Sequence, residues 1–234
     1  MTDPGCLGHR SRLLERFDKH GLESLNDYEI VELLLTFVIP RRDTKPLAKQ
    51  LMARFGSING LIHADKSELE KQVIITRRAG LLFALLRDVM ACCLKERCEK
   101  KNAVAHSRDV EEYLRFTFGH KRDEYVAVLF LDNGNNVITS EIVHEGTVNQ
   151  CAVYPRDIIG LALKHKAARL ILAHNHPGGG AVPSEADWAI TERLSKIGGL
   201  IDIPLVDHVI VAGDGVVSLR DMPRWKSLAQ EGRL

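Results

Sequence analysis

The sequence predicts an α/β protein, a mixed sheet flanked by helices, preceded by a small all-α region. Three observations lead there. Apolar residues recur at helical spacing through residues 1–100, and short apolar runs then alternate with amphipathic stretches. The turn-forming strings Asn133-Gly134-Asn135-Asn136 and Gly213-Asp214-Gly215 each separate two of those runs.

In order along the chain, helices are expected around Leu13-Leu14 and Phe17, over Tyr28 to Phe37 and Leu47 to Phe55, at Leu61-Ile62, and over Ala79 to Leu94. The charged run Leu94 to Asn102 suits the solvated end of a helix entering a linker, so the division is placed there: a helical domain at 1–100 and a second domain at 101–234. Tyr125 to Asp132 and Val137 to Val143 read as a hairpin, because the Asn/Gly turn between them tolerates positive φ. Pro155 suits a first helical turn, and Ile158, Ile159, Ala162 and Leu163 give that helix one apolar face. Leu170 to Ala173 reads as a buried strand. Trp188 to Ile197 reads as a helix stopped by Gly198-Gly199, followed by strands at Val206 to Val211 and Val216 to Leu219.

The 234 residues, 45% hydrophobic and 27% charged, suffice for one or two ordinary cores. A net charge of +1 gives no global electrostatic reason to bind nucleic acid or membrane. No run approaches the ~18 apolar residues of a membrane span, and Met1 to Arg10 lacks the apolar segment of a signal peptide, so a cytoplasmic protein is expected. The five cysteines, Cys6, Cys92, Cys93, Cys98 and Cys151, lack paired zinc-ribbon spacing and read as reduced thiols.

The chemistry is concentrated after the strand at Leu170. His174 and His176 leave its end two residues apart and so face the same way. A glycine-rich loop, Gly178 to Pro183, then turns the chain, and Ser184 opens a helix with Asp187 in its first turn. Catalytic zinc takes three protein ligands and leaves a fourth position for water; His174, His176 and Asp187 supply that set. Ser184 with Asp187 also has the form of a capping box. His208, in the apolar strand Val206 to Val211, reads as packed beside the site, because a fourth protein ligand would close it to water.

Other readings of these residues fail on spacing. The string His-Asn-His does not make the nuclease motif of that name, whose residues are dispersed. There is no second Asp-His pair of the metallo-β-lactamase kind, no deaminase His-x-Glu with Pro-Cys-x-x-Cys, no phosphate-binding glycine loop and no His-Glu-x-x-His helix.

His174-Asn175-His176-Pro177, six residues, then Ser184-Glu185-Ala186-Asp187 resembles the JAMM (MPN-type) metalloprotease signature at every position. Together with Gly8-His9-Arg10, Phe37 to Asp43, Gly146-Thr147-Val148-Asn149, Tyr154-Pro155-Arg156-Asp157 and Asp207-His208-Val209-Ile210, it makes nearly the whole chain similar to the bacterial RadC (UPF0758) family. The resemblance implies a cytidine-deaminase-like JAMM/MPN fold behind a helix-hairpin-helix-like region, and one Zn2+ per chain. It also implies a glutamate general base at the start of the first core strand. Asp123-Glu124 before the apolar run Tyr125 to Phe130 fits, so that role falls to Glu124, with Glu145 and Glu141 as alternatives. It further implies that the Ser184 hydroxyl helps stabilise the oxyanion.

The reading favoured is a zinc-dependent hydrolase of the metallopeptidase or isopeptidase type, with a protein or peptide as substrate. The alternatives are a DNA-associated repair or partner-binding protein that uses the MPN domain as a scaffold, and a metal-dependent nuclease. DNA binding through the amino-terminal region is implied by resemblance alone. The segment Gln72 to Arg78 lacks the glycines of a phosphate-binding hairpin, and Arg41-Arg42 and Arg77-Arg78 read as solvated helix ends.

Overall fold

The computed structural model describes residues 4–64, 68–69, 75–99, 102–103, 107–146, 154–213 and 215–231. The chain divides into two compact units, Met1–Met90 and Ala91–Leu234. Parts of Gln72 to Arg78, the segment Thr147 to Asn149, and Cys151 lie outside the described residues.

The first unit is helical: α1 (Pro4–His20), α2 (Asp27–Val38), α3 (Lys45–Phe55), α4 (Ile58–Ile62) and the start of α5 (Arg77–Glu99). α2 begins with a capping box between Asn26 and Glu29, which satisfies two helix-end N–H groups reciprocally. Val31, Leu35, Leu47, Ala48, Leu51, Leu61 and Phe83 form its core, the inward stripe of each helical pattern. Arg10 donates to the carbonyls of Ile39 (2.8 Å) and Pro40 (2.6 Å), and His9 lies 3.0 Å from the buried Glu32. Gly8-His9-Arg10 and Phe37 to Asp43, far apart in sequence, are thereby joined as a structural clasp. Arg41, Arg42, Arg77 and Arg78 are exposed.

The second unit is a mixed α/β layer structure. After the end of α5 come α6 (Ser107–Phe118), β1 (Glu124–Leu131), β2 (Val137–Gly146), α7 (Pro155–Lys164), β3 (Arg169–Asn175), α8 (Glu185–Leu200), β4 (Leu205–Ala212), β5 (Gly215–Ser218) and α9 (Pro223–Gln230). The five strands run in the order β2-β1-β3-β4-β5; only the β3–β4 pair is parallel, as a β3–α8–β4 crossover requires. One face of the sheet packs Ala127, Leu129, Leu131, Ile171 and Ala173 against Val110, Tyr113, Leu114 and Phe118 of α6. The other packs Val126, Val128, Phe130, Leu170 and Leu172 against Ile158 and Ala162 of α7 and Leu194 of α8. β1 and β3 are buried on both faces, which is why they read as continuous apolar runs rather than alternating ones. No described helix is long and apolar enough to cross a membrane, and Cys92, Cys93 and Cys98 form no disulfide.

The structure departs from the sequence expectation in several places, among them the carboxy-terminal helix α9, which no sequence signal had marked. Helix α6 was not foreseen, because its charged residues extend the composition of the preceding linker; its apolar residues nevertheless fall at 110, 113, 114 and 118. The charged run at the end of α5 is not wholly solvated, since Leu94 and Cys98 pack on the sheet. β2 continues three residues past Val143, to Gly146. Helix α8 does not stop at Gly198-Gly199 but runs through them to Leu200.

Gly198 owes its place to the missing side chain. The Ile203 amide donates to the Gly198 carbonyl (2.8 Å), and a Cβ on residue 198 would come within 2.3 Å of the Ile203 carbonyl oxygen. Helix propensity alone would make Gly198→Ala stabilising by ~1 kcal/mol. The close approach reverses the sign, and destabilisation by about 1–3 kcal/mol is expected in urea denaturation. An unchanged or raised midpoint would show that the β4 approach relaxes freely.

Candidate metal centre

The site forms where β1 and β3 run antiparallel, so that the start of β1 meets the end of β3. Val126 pairs with His174. Continuing that register sets residue 124 opposite residue 176, on the same sheet face as His174. The His176 amide donates to the Val211 carbonyl of β4 (2.8 Å), which carries the extended geometry past the last strand residue. Gly178 then adopts φ +69°, a turn conformation that glycine enters without strain.

The turn returns the chain to the strand end as α8. Ser184 is its N-cap: the hydroxyl oxygen accepts from the Asp187 amide, while the Ser184 amide donates to Asp187 Oδ2 (2.7 Å). The Ser184 hydroxyl also donates to Oδ2 (2.7 Å). This capping box turns the other oxygen, Oδ1, towards the histidines. His174 Nε2 lies 2.9 Å from His176 Nε2 and 3.1 Å from Asp187 Oδ1; His176 Nε2 lies 3.5 Å from Oδ2.

The three side chains form the one group of metal-ligating residues close enough to share an ion among the described residues. At zinc–ligand distances of about 2.0–2.1 Å, tetrahedral ligand atoms stand ~3.3 Å apart, and the observed triangle brackets that spacing. Its chemistry points the same way. His176 Nδ1 faces the Gly180 carbonyl at 3.2 Å, which can only accept, so the His176 proton belongs on Nδ1 and Nε2 is left with a lone pair aimed at two other acceptor atoms. Such a convergence demands positive charge at its centre. The residues present fit a divalent cation.

The electrostatics of the free chain record the same demand. The hydrogen bond to Asp187 raises the His176 pKa against the effect of burial, helped by the Gly180 carbonyl and by the charges of Asp187 and Glu124. Burial works to raise the Asp187 carboxyl, but the neighbouring His174 and His176 rings and the Ser184 hydroxyl hold it far below the usual carboxylate range. His174 is almost fully enclosed, whereas His176 stays partly open to solvent, so access is from the His176 side.

Each residue singled out in the sequence has a definite place. Glu124 opens β1 beside His176. Glu141 pairs with His165 and Lys164, and its pKa is lowered first by the His165 hydrogen bond. Glu145 pairs across from Tyr125 on the opposite sheet face and accepts the Tyr125 hydroxyl. Of the three carboxylates, Glu124 alone acts electrostatically on His176, from the end of β1 that leads towards the histidines. His208 is fully buried behind His174, with Nε2 2.8 Å from His174 Nδ1, and burial holds its pKa well below the ordinary imidazole value.

A model of the RadC-like JAB domain matches residues 104–225. The chain belongs to the RadC-like JAB family. Curated relatives carry the family designation UPF0758. The chain is 36% identical over 223 residues to a UPF0758 protein of Bordetella petrii, covering 95% of this chain and 99% of the relative. UPF0758 proteins of Bordetella bronchiseptica and Bordetella pertussis are each 36% identical over 205 residues, 88% of this chain and 91% of theirs. The matched JAB segment contains the sheet, the His/His/Asp cluster and Glu124.

Two contributors in this RadC-like chain escaped the sequence reading. Thr191 lies one turn after Asp187 in α8, with its hydroxyl 2.6 Å from His208 Nδ1. Asn175 sits between the histidines but points to the other side and is buried. Its Oδ1 accepts from the Tyr125 amide (2.7 Å), and its Nδ2 donates to the Asp123 carbonyl (3.0 Å). It completes the β1–β3 pairing where strand geometry ends, and so fixes the backbone on both sides of Glu124. Asn175→Ala should destabilise the second unit by about 1–3 kcal/mol, the usual cost of orphaning buried polar groups. Amide exchange at Tyr125 should accelerate beyond that at Val128; equal protection of both amides in wild type and variant would remove Asn175 from this role.

Proposed function

We propose that this chain is a zinc-dependent hydrolase of the metallopeptidase or isopeptidase type, acting on an amide bond in a protein or peptide. The observation that carries the reading is the convergence of His174 Nε2, His176 Nε2 and an Asp187 carboxylate oxygen on one point; Glu124, which opens the strand whose Val126 pairs with His174, supports it. Those three residues would hold the metal. When bound, zinc supplies Lewis-acid chemistry, lowering the pKa of a coordinated water to about 7 and polarising a carbonyl oxygen.

The chain's own residues supply the rest. Glu124 is the general base that takes a proton from the attacking water and returns it to the departing amine. Its place beside the partly open His176 leaves the proton path facing the side from which substrate enters. Ser184 donates its hydroxyl to the carbonyl oxygen as negative charge develops there. In the free chain that proton is committed to Asp187, so the hydroxyl rotates away from Oδ2 as substrate seats. The capping interaction at the Asp187 amide does not require that proton, and the helix start survives the rotation.

Elemental analysis after exposure to zinc and removal of excess should find about one zinc per chain in wild type and little in His174→Ala. Glu124→Gln should keep the zinc and lose about a hundred- to ten-thousand-fold in peptide or isopeptide hydrolysis. Folded wild type that takes up no zinc would defeat the metal centre. Full hydrolysis by Glu124→Gln would remove the base, and metal-dependent cutting of DNA in place of peptides would shift the reading to phosphodiester chemistry.

A further inference from the structure

Behind the metal cluster, away from solvent, a hydrogen-bonded chain leaves one ligand and ends on the backbone of another. His174 Nδ1 is 2.8 Å from His208 Nε2, and His208 Nδ1 is 2.6 Å from Thr191 Oγ1. The Thr191 hydroxyl is 2.5 Å from the carbonyl oxygen of Asp187, one helical turn earlier. His208 and Thr191 have no solvent exposure, so none of these bonds can be exchanged for bonds to bulk water.

The direction of the chain follows from its last member. A carbonyl oxygen can only accept, so the Thr191 proton is directed at Asp187 and the remaining lone pairs of Oγ1 face His208. His208 Nδ1 must then be the protonated nitrogen. In a neutral imidazole this leaves Nε2 bare, able to accept but not to donate. The proton between the two histidines therefore sits on His174 Nδ1, which leaves Nε2 as the ring nitrogen turned towards His176 and Asp187.

We infer that Thr191 and His208 form a one-way hydrogen-bond relay that fixes His174 as the Nδ1–H tautomer, reserves its Nε2 lone pair for a metal, and ties two of the three ligands together. The inference rests on the metal-centre reading above only for the ion; the tautomer is a property of the metal-free chain. Thr191 and His208 are positioning residues. Neither would touch substrate.

The relay makes Thr191→Val informative, since valine matches threonine in shape but removes the acceptor for the His208 proton. His208 can then carry its proton on Nε2, facing His174, and the His174 lone pair turns away from the cluster. Nitrogen-15 NMR of the histidine rings in the metal-free wild-type chain should show both His174 and His208 protonated at Nδ1. Competition with a chromophoric chelator should show zinc affinity falling about 10- to 100-fold in Thr191→Val and restored in Thr191→Ser. Should Thr191→Val misfold, His208→Gln, whose carbonyl can still accept from His174, should bind zinc more tightly than His208→Leu.

Wild-type zinc affinity in Thr191→Val, equal affinities in the two His208 variants, or a metal-free wild type with the His174 proton on Nε2 would each overturn the relay. Failure of the wild-type chain to bind zinc would instead defeat the metal-centre reading. The ring tautomers would then decide the relay by themselves.

Discussion

The register of β1 against β3 is the constraint on which the site depends. With Val126 opposite His174, the odd-numbered residues of β1 face α6 and the even-numbered ones face α7 and α8. A slip of one residue would send Glu124 to the far face and leave two imidazoles with no carboxylate across from them. The apolar residues on both faces of these strands hold the register, because every one of them would have to leave its own core for the slip to occur. Asn175 adds a polar lock at the point where that apolar constraint runs out. Core packing and the position of one carboxylate are in this sense the same problem.

The cluster gathers its polar atoms closely even in the free chain. Lone pairs on His174 and His176 and the charge on Asp187 are gathered into one small volume, and the capping box and the buried hydrogen bonds keep them from dispersing. Such a gathering persists only where the surrounding structure over-determines it. Here the sheet fixes the histidines, the helix start fixes the carboxylate, and the residues beneath fix the ring orientations.

Much of this was legible in the sequence, for reasons that can be named. β3 announces itself as an apolar run, and alternate spacing puts His174 and His176 on one face without further information. Asp187 follows from the glycine loop and the serine that starts the helix. Glu124 was reached only through the family resemblance, because a carboxylate before a strand usually signifies nothing; the register is what separates it from Glu141 and Glu145. Asn175 was invisible, since period-two reasoning sends it away from the histidines and its partners are backbone atoms some fifty residues earlier. Thr191 reads as an ordinary helix residue until β4 places His208 against it. Gly198 was misread because glycine near a helix end usually stops it, whereas here it leaves room for a neighbouring carbonyl.

The division of labour between strands also has a consequence for how the molecule assembles. The three acceptor residues lie within the segment 174–187, so closing them into a cluster constrains only a short loop. The β1–β3 clamp joins Tyr125 to Asn175 across 50 residues, and its closure costs more chain entropy. The three acceptor residues are thus the locally determined part of the site, whereas the position of Glu124 hangs on strand pairing between distant stretches of chain, and an insertion or deletion between residues 131 and 169 would strain the second without touching the first.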